Sequence, residues 1–173
     1  ALMPAMPDGR VVWYYLRITL AGMGDVIYPP ASTPQQDIPR LTLRLSNSGI
    51  NTTVTPTPEW QRGTAQGAAT SSRLYLYTES AGEVLVDDVS ITYSGQEHVT
   101  NGSFATSTAG WSVLGNHSGS YHDPSDGSNA PGCLHIVATG MGGGSSQNHV
   151  RQDMLPALVQ DGRIYSLGFA YRA

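Results

Sequence analysis

The sequence predicts an all-β fold. Short runs of alternating apolar and polar residues recur along the chain and are separated by turn formers, as where Leu41–Leu45 is ended by Asn47-Ser48-Gly49. The 173 residues include 20 glycines and 11 prolines, which favour turns over helices. No uninterrupted amphipathic segment of helical length stands out. A chain of this length suits one domain that can bury a proper core.

Charge and composition restrict the possible partners. Only 13% of the residues are charged and the net charge is -4, so no electrostatic footprint for nucleic acid or an anionic membrane is visible. No apolar run approaches the roughly 20 residues of a membrane span, and we expect no membrane insertion. No basic leader with a cleavage site opens the chain, which suggests a mature or excised piece. Cys133 is the single cysteine and is predicted to be a small hydrophobic residue in a strand.

The first predicted strand has a second copy near the C-terminus. The turn Asp8-Gly9-Arg10 before it recurs as Asp161-Gly162-Arg163, an offset of 161 − 8 = 153 residues. With this offset the apolar faces of the two strands coincide, Val12, Tyr14, Leu16 and Ile18 falling on Tyr165, Leu167, Phe169 and Tyr171. We interpret this as an internal repeat whose period is about one module.

The middle of the chain alternates between loops and strands. Residues 23 to 40 hold four prolines and predict a loop, and residues 51 to 58 predict another. Trp60 opens the next strand and is expected to pack rather than to contact a ligand. Residues 73 to 79 alternate cleanly, with Leu74 and Leu76 on one face and polar or aromatic residues on the other.

The polar and aromatic face of residues 73 to 79 is the best candidate sugar-binding surface in the sequence. A pyranose ring has an apolar C–H face that stacks on aromatic rings, and a rim of hydroxyls that need donors and acceptors. The candidate residues are Arg73, Tyr75, Tyr77 and Glu79, joined by a second set on the N-terminal strand, Trp13, Tyr15 and Arg17. The alternative is that this face packs under a loop or an adjacent module. The second copy of the N-terminal strand would remove part of the aromatic lining, because it carries Ser166, Gly168, Ala170 and Arg172 at the corresponding positions.

Residues 84 to 91, Val-Leu-Val-Asp-Asp-Val-Ser-Ile, carry a family resemblance. They resemble the last strand of the galactose-binding-domain-like, jelly-roll carbohydrate-binding modules grouped with families four, nine, sixteen and twenty-two. Val-Thr-Asn-Gly-Ser-Phe at residues 99 to 104, followed by Trp111 as a core residue, resembles their first strand. Further similar strands are Cys133–Ala138, residues 150 to 155 and residues 162 to 172. The resemblance implies an antiparallel β-sandwich, a jelly roll.

In this resemblance the strand that ends a module comes before the strand that begins one. Residues 1 to 94 resemble the rear half of one module and residues 99 to 173 the front half of the next, with a joint at residues 95 to 98. We expect the halves to form one sandwich. Either the front half folds back on the rear half as a circular permutant, or each half pairs with a neighbouring chain, since a half sandwich exposes an unpaired edge. We favour the first arrangement for an isolated piece.

The resemblance implies a non-catalytic carbohydrate-binding module, located outside the cell or on its surface, whose partner is a polysaccharide or other glycan. In the family the glycan lies on a concave sheet, which implies that Trp13, Tyr15, Tyr75 and Tyr77 line one groove. No glutamate lies in a recognisable catalytic motif, so we expect no enzyme activity. The alternative is a structural repeat of a large surface or filament protein, assembled head-to-tail from copies of itself by shared strands.

The resemblance also implies a structural calcium ion. Asp87 and Asp88 match the family's Asp-Asp pair, although alternation along a strand would let at most one of them point to a given site. The family's next ligand is a Glu after Phe104, and Ala105 stands there instead. The alternative role for Asp88 is to cap or hydrogen-bond a neighbouring loop.

Residues 116 to 131 predict a surface loop that contacts glycan or nothing. The loop holds His117, Tyr121, His122, Asp123 and Asp126, but their spacing matches no tight metal-ligand set. Residues 140 to 146 are glycine-rich and predict a flexible turn.

Overall fold

A computed structural model of the chain describes residues 16–18, 26–28, 38–45, 49–69, 71–154, 157–158 and 161–173. The chain divides into two compact units, Ala1–Asp37 and Ile38–Ala173. The described residues contain no α-helix, only strands and one short 3-10 turn, Gly115–His117. No helix in this described part is long and apolar enough to cross a membrane. The predicted all-β class is confirmed.

The first unit contains a two-stranded antiparallel sheet. Strands β1 (Leu16–Ile18) and β2 (Val26–Tyr28) pair with Arg17 opposite Ile27. Strand β1 falls within the predicted N-terminal strand. The Asp8-Gly9-Arg10 turn, Trp13 and Tyr15 lie outside the described residues.

The second unit is built from eleven strands among its described residues. In chain order they are β3 (Leu41–Leu45), β4 (Asn51–Val54), β5 (Gln61–Ala68), β6 (Arg73–Thr78), β7 (Gly82–Tyr93), β8 (Gln96–Glu97), β9 (Ser112–Leu114), β10 (Tyr121–Asp123), β11 (Cys133–Ala138), β12 (His149–Asp153) and β13 (Ile164–Arg172). The predicted loop at residues 51 to 58 is therefore wrong in its first part. Residues 51–54 pair with β3 because Thr and Val suit an edge strand.

These strands form two antiparallel sheets that pack as a sandwich. The six-stranded sheet has the order β10-β11-β7-β13-β5, with β8 paired to β7 outside this path. The five-stranded sheet has the order β4-β3-β6-β12-β9. Apolar residues on the two inner faces alternate with outward-facing ones and form the core. The most deeply buried include Leu41, Leu43, Leu45, Leu74, Leu76 and Val150 from one sheet and Val84, Val86, Ile91, Leu134, Ile136, Leu167 and Phe169 from the other.

Residues from both predicted halves contribute to both sheets. Strand β7 lies between β11 and β13, and β12 pairs with β6. The second copy of the duplicated strand, β13, fills the position between β7 and β5. The boundary between the compact units falls after residue 37, whereas the proposed joint at residues 95 to 98 contains strand β8, which pairs with the end of β7.

Close approach between the strands explains one glycine. Gly63 on β5 faces Phe169 on β13, and a β-carbon at residue 63 would overlap the phenyl ring. Trp111 is buried as predicted, with its ring centroid 5.3 Å from that of Phe104 and its indole N–H donating to the Asn101 carbonyl at 3.2 Å. Burial of such large apolar side chains contributes roughly 2 kcal/mol each to stability.

Candidate functional site

The face of β6 that carries Tyr75 and Tyr77 is covered. Alternation places both tyrosines opposite Leu74 and Leu76 as predicted, but only 5% of Tyr75 and 9% of Tyr77 is exposed. The expectation that these rings form an open sugar-binding surface is therefore wrong. The alternative, packing under a loop, is what the structure shows.

The covering segment is residues 140–148, here called the glycine roof. The amide of Gly142 donates to the carbonyl of Thr78 at 2.8 Å, which ties the roof to β6. A β-carbon on Gly144 would lie 3.1 Å from the Tyr75 ring. Glycines let the backbone approach the sheet this closely, which a sequence-based prediction of a flexible turn does not reveal.

Two buried histidines hold the glycine roof. His117 Nε2 accepts from the Thr78 amide at 3.1 Å, so the proton is on Nδ1, which donates to Asn116 Oδ1 at 2.6 Å. His149 Nδ1 donates to the carbonyl of Gly143 at 2.9 Å, and its ring lies 4.6 Å from that of Tyr75. Burial, helped by the nearby His149, lowers the pKa of His117 to about 4, and burial also lowers the pKa of His149.

The charged residues predicted beside these tyrosines lie at the surface in ion pairs. Arg73 Nε contacts Asp153 Oδ1 at 2.9 Å, and Arg40 contacts Glu79 at 3.1 Å. Of the other predicted sugar contacts, Arg17 lies on β1 in the first compact unit, and Trp13 and Tyr15 are outside the described residues. The predicted sugar-binding group is thus brought together only in part.

Asp87 and Asp88 point to the same loop, which corrects the expectation that at most one could do so. The register of β7 against β13 shifts so that Asp88 and Val89 oppose the single residue Phe169, a β-bulge. Asp88 has a φ of 48°, in the left-handed region that Asp tolerates better than most residues. The bulge interrupts the alternation and turns both carboxylates toward the loop between β10 and β11.

The oxygens of this pair face hydrogen-bond donors. Asp87 accepts from the amides of Asp88 at 2.7 Å and Ser128 at 2.8 Å. Asp88 Oδ2 accepts from Arg62 at 2.8 Å, from the Ser128 hydroxyl at 2.7 Å and from Asn129 at 2.6 Å. The alternative role for Asp88, bonding a neighbouring loop, is confirmed.

The carboxylate oxygens of Asp87 and Asp88 are not arranged to bind a calcium ion. Ca²⁺ needs several oxygens directed at one point, whereas these oxygens are occupied by N–H and O–H groups. Among the described residues no group of three His, Cys, Asp or Glu could hold a metal. Burial, with a smaller contribution from the neighbouring Asp88 carboxylate, raises the pKa of Asp87. Calcium binding stays a prediction.

The outer face of the six-stranded sheet carries a row of large side chains across the strands. Arg172 on β13 is directly opposite Leu85 on β7, Leu85 is opposite His135 on β11, and His135 is opposite Tyr121 on β10. Trp60 precedes β5, and the Arg172 guanidinium lies over its ring at 5.7 Å. We call Trp60, Arg172, Leu85, His135 and Tyr121 the transverse row.

The transverse row has an aromatic ring at each end and an apolar floor. Tyr121 is 49% exposed and Trp60 is half-buried, whereas Leu85 is only 8% exposed. The Tyr121 and His135 rings are in contact, 4.7 Å apart. Neighbouring strands are about 4.8 Å apart. The row crosses four strands in the order β10, β11, β7 and β13, so it extends over about 14 Å. This length accommodates more than one ring of an oligosaccharide.

Polar partners fix the side chains of the transverse row. Asp126 accepts from the Trp60 indole N–H at 3.3 Å and forms a short hydrogen bond with Arg172. Glu83 pairs with His135 Nε2 at 2.9 Å. Two further nitrogens, His135 Nδ1 and Arg172 Nε, are buried and have no hydrogen-bond partner within the described part of the chain. The row therefore combines stacking surfaces with donors and acceptors at its rim.

Sequence reasoning missed the transverse row. The sequence predicts that Trp60 packs and that Tyr121 lies in a loop contacting glycan or nothing, and it indicates no function for His135 or Leu85. The row depends on the register of four strands that are distant in sequence, and register is not encoded in any one segment. The exposed aromatic Tyr121 in a polar loop was the available signal.

Comparison of the chain with family models, curated proteins and solved structures finds no match.

Proposed function

We propose that the chain is a non-catalytic carbohydrate-binding module that holds a polysaccharide across the transverse row. The observation that supports this function is the alignment of Trp60, Arg172, Leu85, His135 and Tyr121 across one sheet face. The module acts outside the cell or on its surface, where polysaccharides are found. The site differs from the tyrosine face of β6 that the sequence suggested.

The chemistry of the row suits sugars. The exposed Tyr121 ring stacks on the apolar face of one pyranose, and Trp60 offers a second stacking surface at the other end. Glu83 and Asp126 accept hydrogen bonds from hydroxyls, and Arg62 donates them. Because ion pairs and ring contacts already hold these side chains, binding loses little side-chain entropy.

A glycan panel with one matched pair of variants tests the proposal. The full chain is screened by affinity electrophoresis and calorimetry against soluble neutral and charged polysaccharides. Tyr121→Ala should abolish or strongly weaken binding to the best ligand. Met141→Ala is the control, because Met141 is an even more exposed large apolar residue, at 69%, that belongs to the glycine roof. Binding that survives Tyr121→Ala unchanged, or no binding across the panel, would contradict the proposal.

A second candidate is a structural repeat assembled head-to-tail by shared strands. The duplicated strand favours this candidate. Its C-terminal copy, β13, fills the position between β7 and β5. Its N-terminal copy contains β1, which pairs with β2 in a separate unit. The N-terminal copy has the sequence to occupy the equivalent position in a neighbouring chain. Light scattering tests this candidate, which predicts concentration-dependent oligomers that disappear when residues 1–37 are removed. A strictly monomeric chain at high concentration would count against it.

A further inference from the structure

The outer face of the five-stranded sheet carries a second row, which is rich in arginine. Arg44 on β3 and Arg151 on β12 are both directly opposite Tyr75 on β6, one on each side. Arg73 lies two residues before Tyr75 on the same face of β6. Three arginines from three adjacent strands therefore flank one tyrosine in the sheet.

This face concentrates positive charge on an acidic protein. The chain has nine basic residues, all of them arginines, and a net charge of -4. Three of the nine are here, and in the described part of the chain only Asp153 balances them, at 2.9 Å from Arg73 and 3.4 Å from Arg151. The local excess is thus two positive charges, opposite in sign to the charge of the whole chain.

The arginines also have unused hydrogen-bonding capacity. Each guanidinium has five N–H donors. Arg44 has no hydrogen-bond or ion-pair partner among the described residues, although its side chain is half-buried. Arg151 Nε is buried and likewise lacks a partner in this part of the chain. Half-buried guanidinium N–H groups without acceptors are unusual, and an anionic group on this face would supply acceptors for Arg44 and for Nε of Arg151.

We infer that Arg44, Arg73 and Arg151, here called the arginine patch, bind the carboxylates of an acidic glycan. Planar guanidinium groups recognise planar carboxylates with paired hydrogen bonds. Arg44 and Arg151 are separated by two strand spacings, about 10 Å, so a polymer with regularly repeated carboxylates contacts both. The patch lies on the sheet opposite to the transverse row and does not depend on it.

A glycan fits this patch better than a nucleic acid does. Binding of single-stranded nucleic acid uses exposed aromatic rings on which bases stack, and Tyr75, the ring between these arginines, is covered by Gly144. Carboxylate binding by guanidinium groups needs no stacking ring, so the covered tyrosine favours a uronate-rich polysaccharide as the partner.

The experiment compares polygalacturonate with its methyl ester, which has the same backbone without the charges. Affinity is measured by calorimetry in low salt for the parent chain, Arg44→Gln, Arg151→Gln and the double variant. We expect binding to polygalacturonate, no binding to the ester, and at least a tenfold loss in the double variant. Arg163→Gln is the control, because Arg163 is a half-buried arginine outside the patch, like Arg44 and Arg151, and is paired with Asp161 at 2.8 Å. Since the Arg44 side chain has no partner in the described part of the chain, Arg44→Gln should fold normally, and thermal melting verifies this.

Two further ligands and one further variant separate the possible outcomes. Binding to the methyl ester as tight as to the acid, an unchanged affinity in the double variant, or no binding to polygalacturonate would overturn the inference. Binding to dextran sulfate or to a single-stranded oligonucleotide but not to polygalacturonate would overturn the carboxylate assignment. Tyr121→Ala should leave the charge-dependent binding unchanged, so failure of the transverse row and failure of the arginine patch are distinguishable.

Discussion

The imidazole of His117 accepts a hydrogen bond from the backbone amide of Thr78 at 3.1 Å, in a position where no part of the ring is exposed. This bond joins the 3-10 turn at Gly115–His117 to the end of β6, directly beneath the glycine roof. It requires a neutral ring, because a protonated Nε2 cannot accept. The covering of Tyr77 is thereby linked to the protonation of one histidine.

Stability should fall in mild acid because of this bond. Burial lowers the pKa of His117 from 6.5 to about 4, so the unfolded chain binds more protons than the folded chain between these values. The contribution is complete above pH 6.5 and is lost as the pH falls towards 4, by about 3 kcal/mol in all. Urea unfolding at several pH values measures this. His117→Gln should flatten the dependence, and His122→Gln should leave it in place; equal slopes in the two variants would contradict the assignment.

The closeness of the glycine roof to the sheet gives a second prediction. A β-carbon at residue 142 would lie 2.7 Å from the carbonyl oxygen of Asn148 and 2.7 Å from the His117 ring. Gly142→Ala should therefore destabilise the fold by about 1–3 kcal/mol, because the backbone must move. Gly119→Ala is the control, since its β-carbon would meet only ordinary contacts at 3.4 Å. Equal unfolding midpoints for the two variants would show that the roof backbone moves without a loss in the free energy of unfolding.

The sequence predicted most of the strands but not what covers them; β2, β4 and β10 lie in stretches that were expected to be loops. Alternation correctly placed Tyr75 and Tyr77 on the face opposite Leu74 and Leu76. Whether that face is open depends on residues 140–148, which are far along the chain and whose glycines look the same in a flexible turn and in a closely packed one. Exposure is a property of tertiary contacts, so periodicity alone could not supply it.

The bulge at Asp88 illustrates the same limit within one strand. The residues of β7 alternate as expected up to Asp87, and the extra residue then reverses the phase. Nothing in Val-Asp-Asp-Val marks this position, apart from the tolerance of Asp for a left-handed φ. The transverse row was hidden for a related reason, because four separate strands must pair in register before its residues align.

Substitution of Asp88 should distinguish hydrogen bonding from metal binding. Asp88→Ala removes the acceptor of Arg62, Ser128 and Asn129 and places alanine at a φ of 48°, so we expect a loss of about 2–3 kcal/mol. Asp88→Asn keeps the conformational tolerance and one acceptor oxygen and should cost about half as much. Chelation with EDTA should leave the melting temperature of the parent chain unchanged. A drop that added Ca²⁺ reverses would instead favour the calcium prediction.

The Asp126 carboxylate should govern the Trp60 end of the transverse row. It accepts from both the Trp60 indole and the Arg172 guanidinium, and so holds the two groups against each other. Asp126→Ala leaves the half-buried guanidinium of Arg172 without its carboxylate, which should lower stability by about 1–2 kcal/mol and glycan affinity by about tenfold. Tyr121→Ala should reduce affinity to a similar degree without lowering stability, because half of the ring is already exposed. Calorimetric titration paired with thermal melting separates these two effects. If Asp126→Ala weakens the fold but leaves glycan affinity intact, Trp60 and Arg172 serve packing alone and the bound sugar lies only at the Tyr121 end.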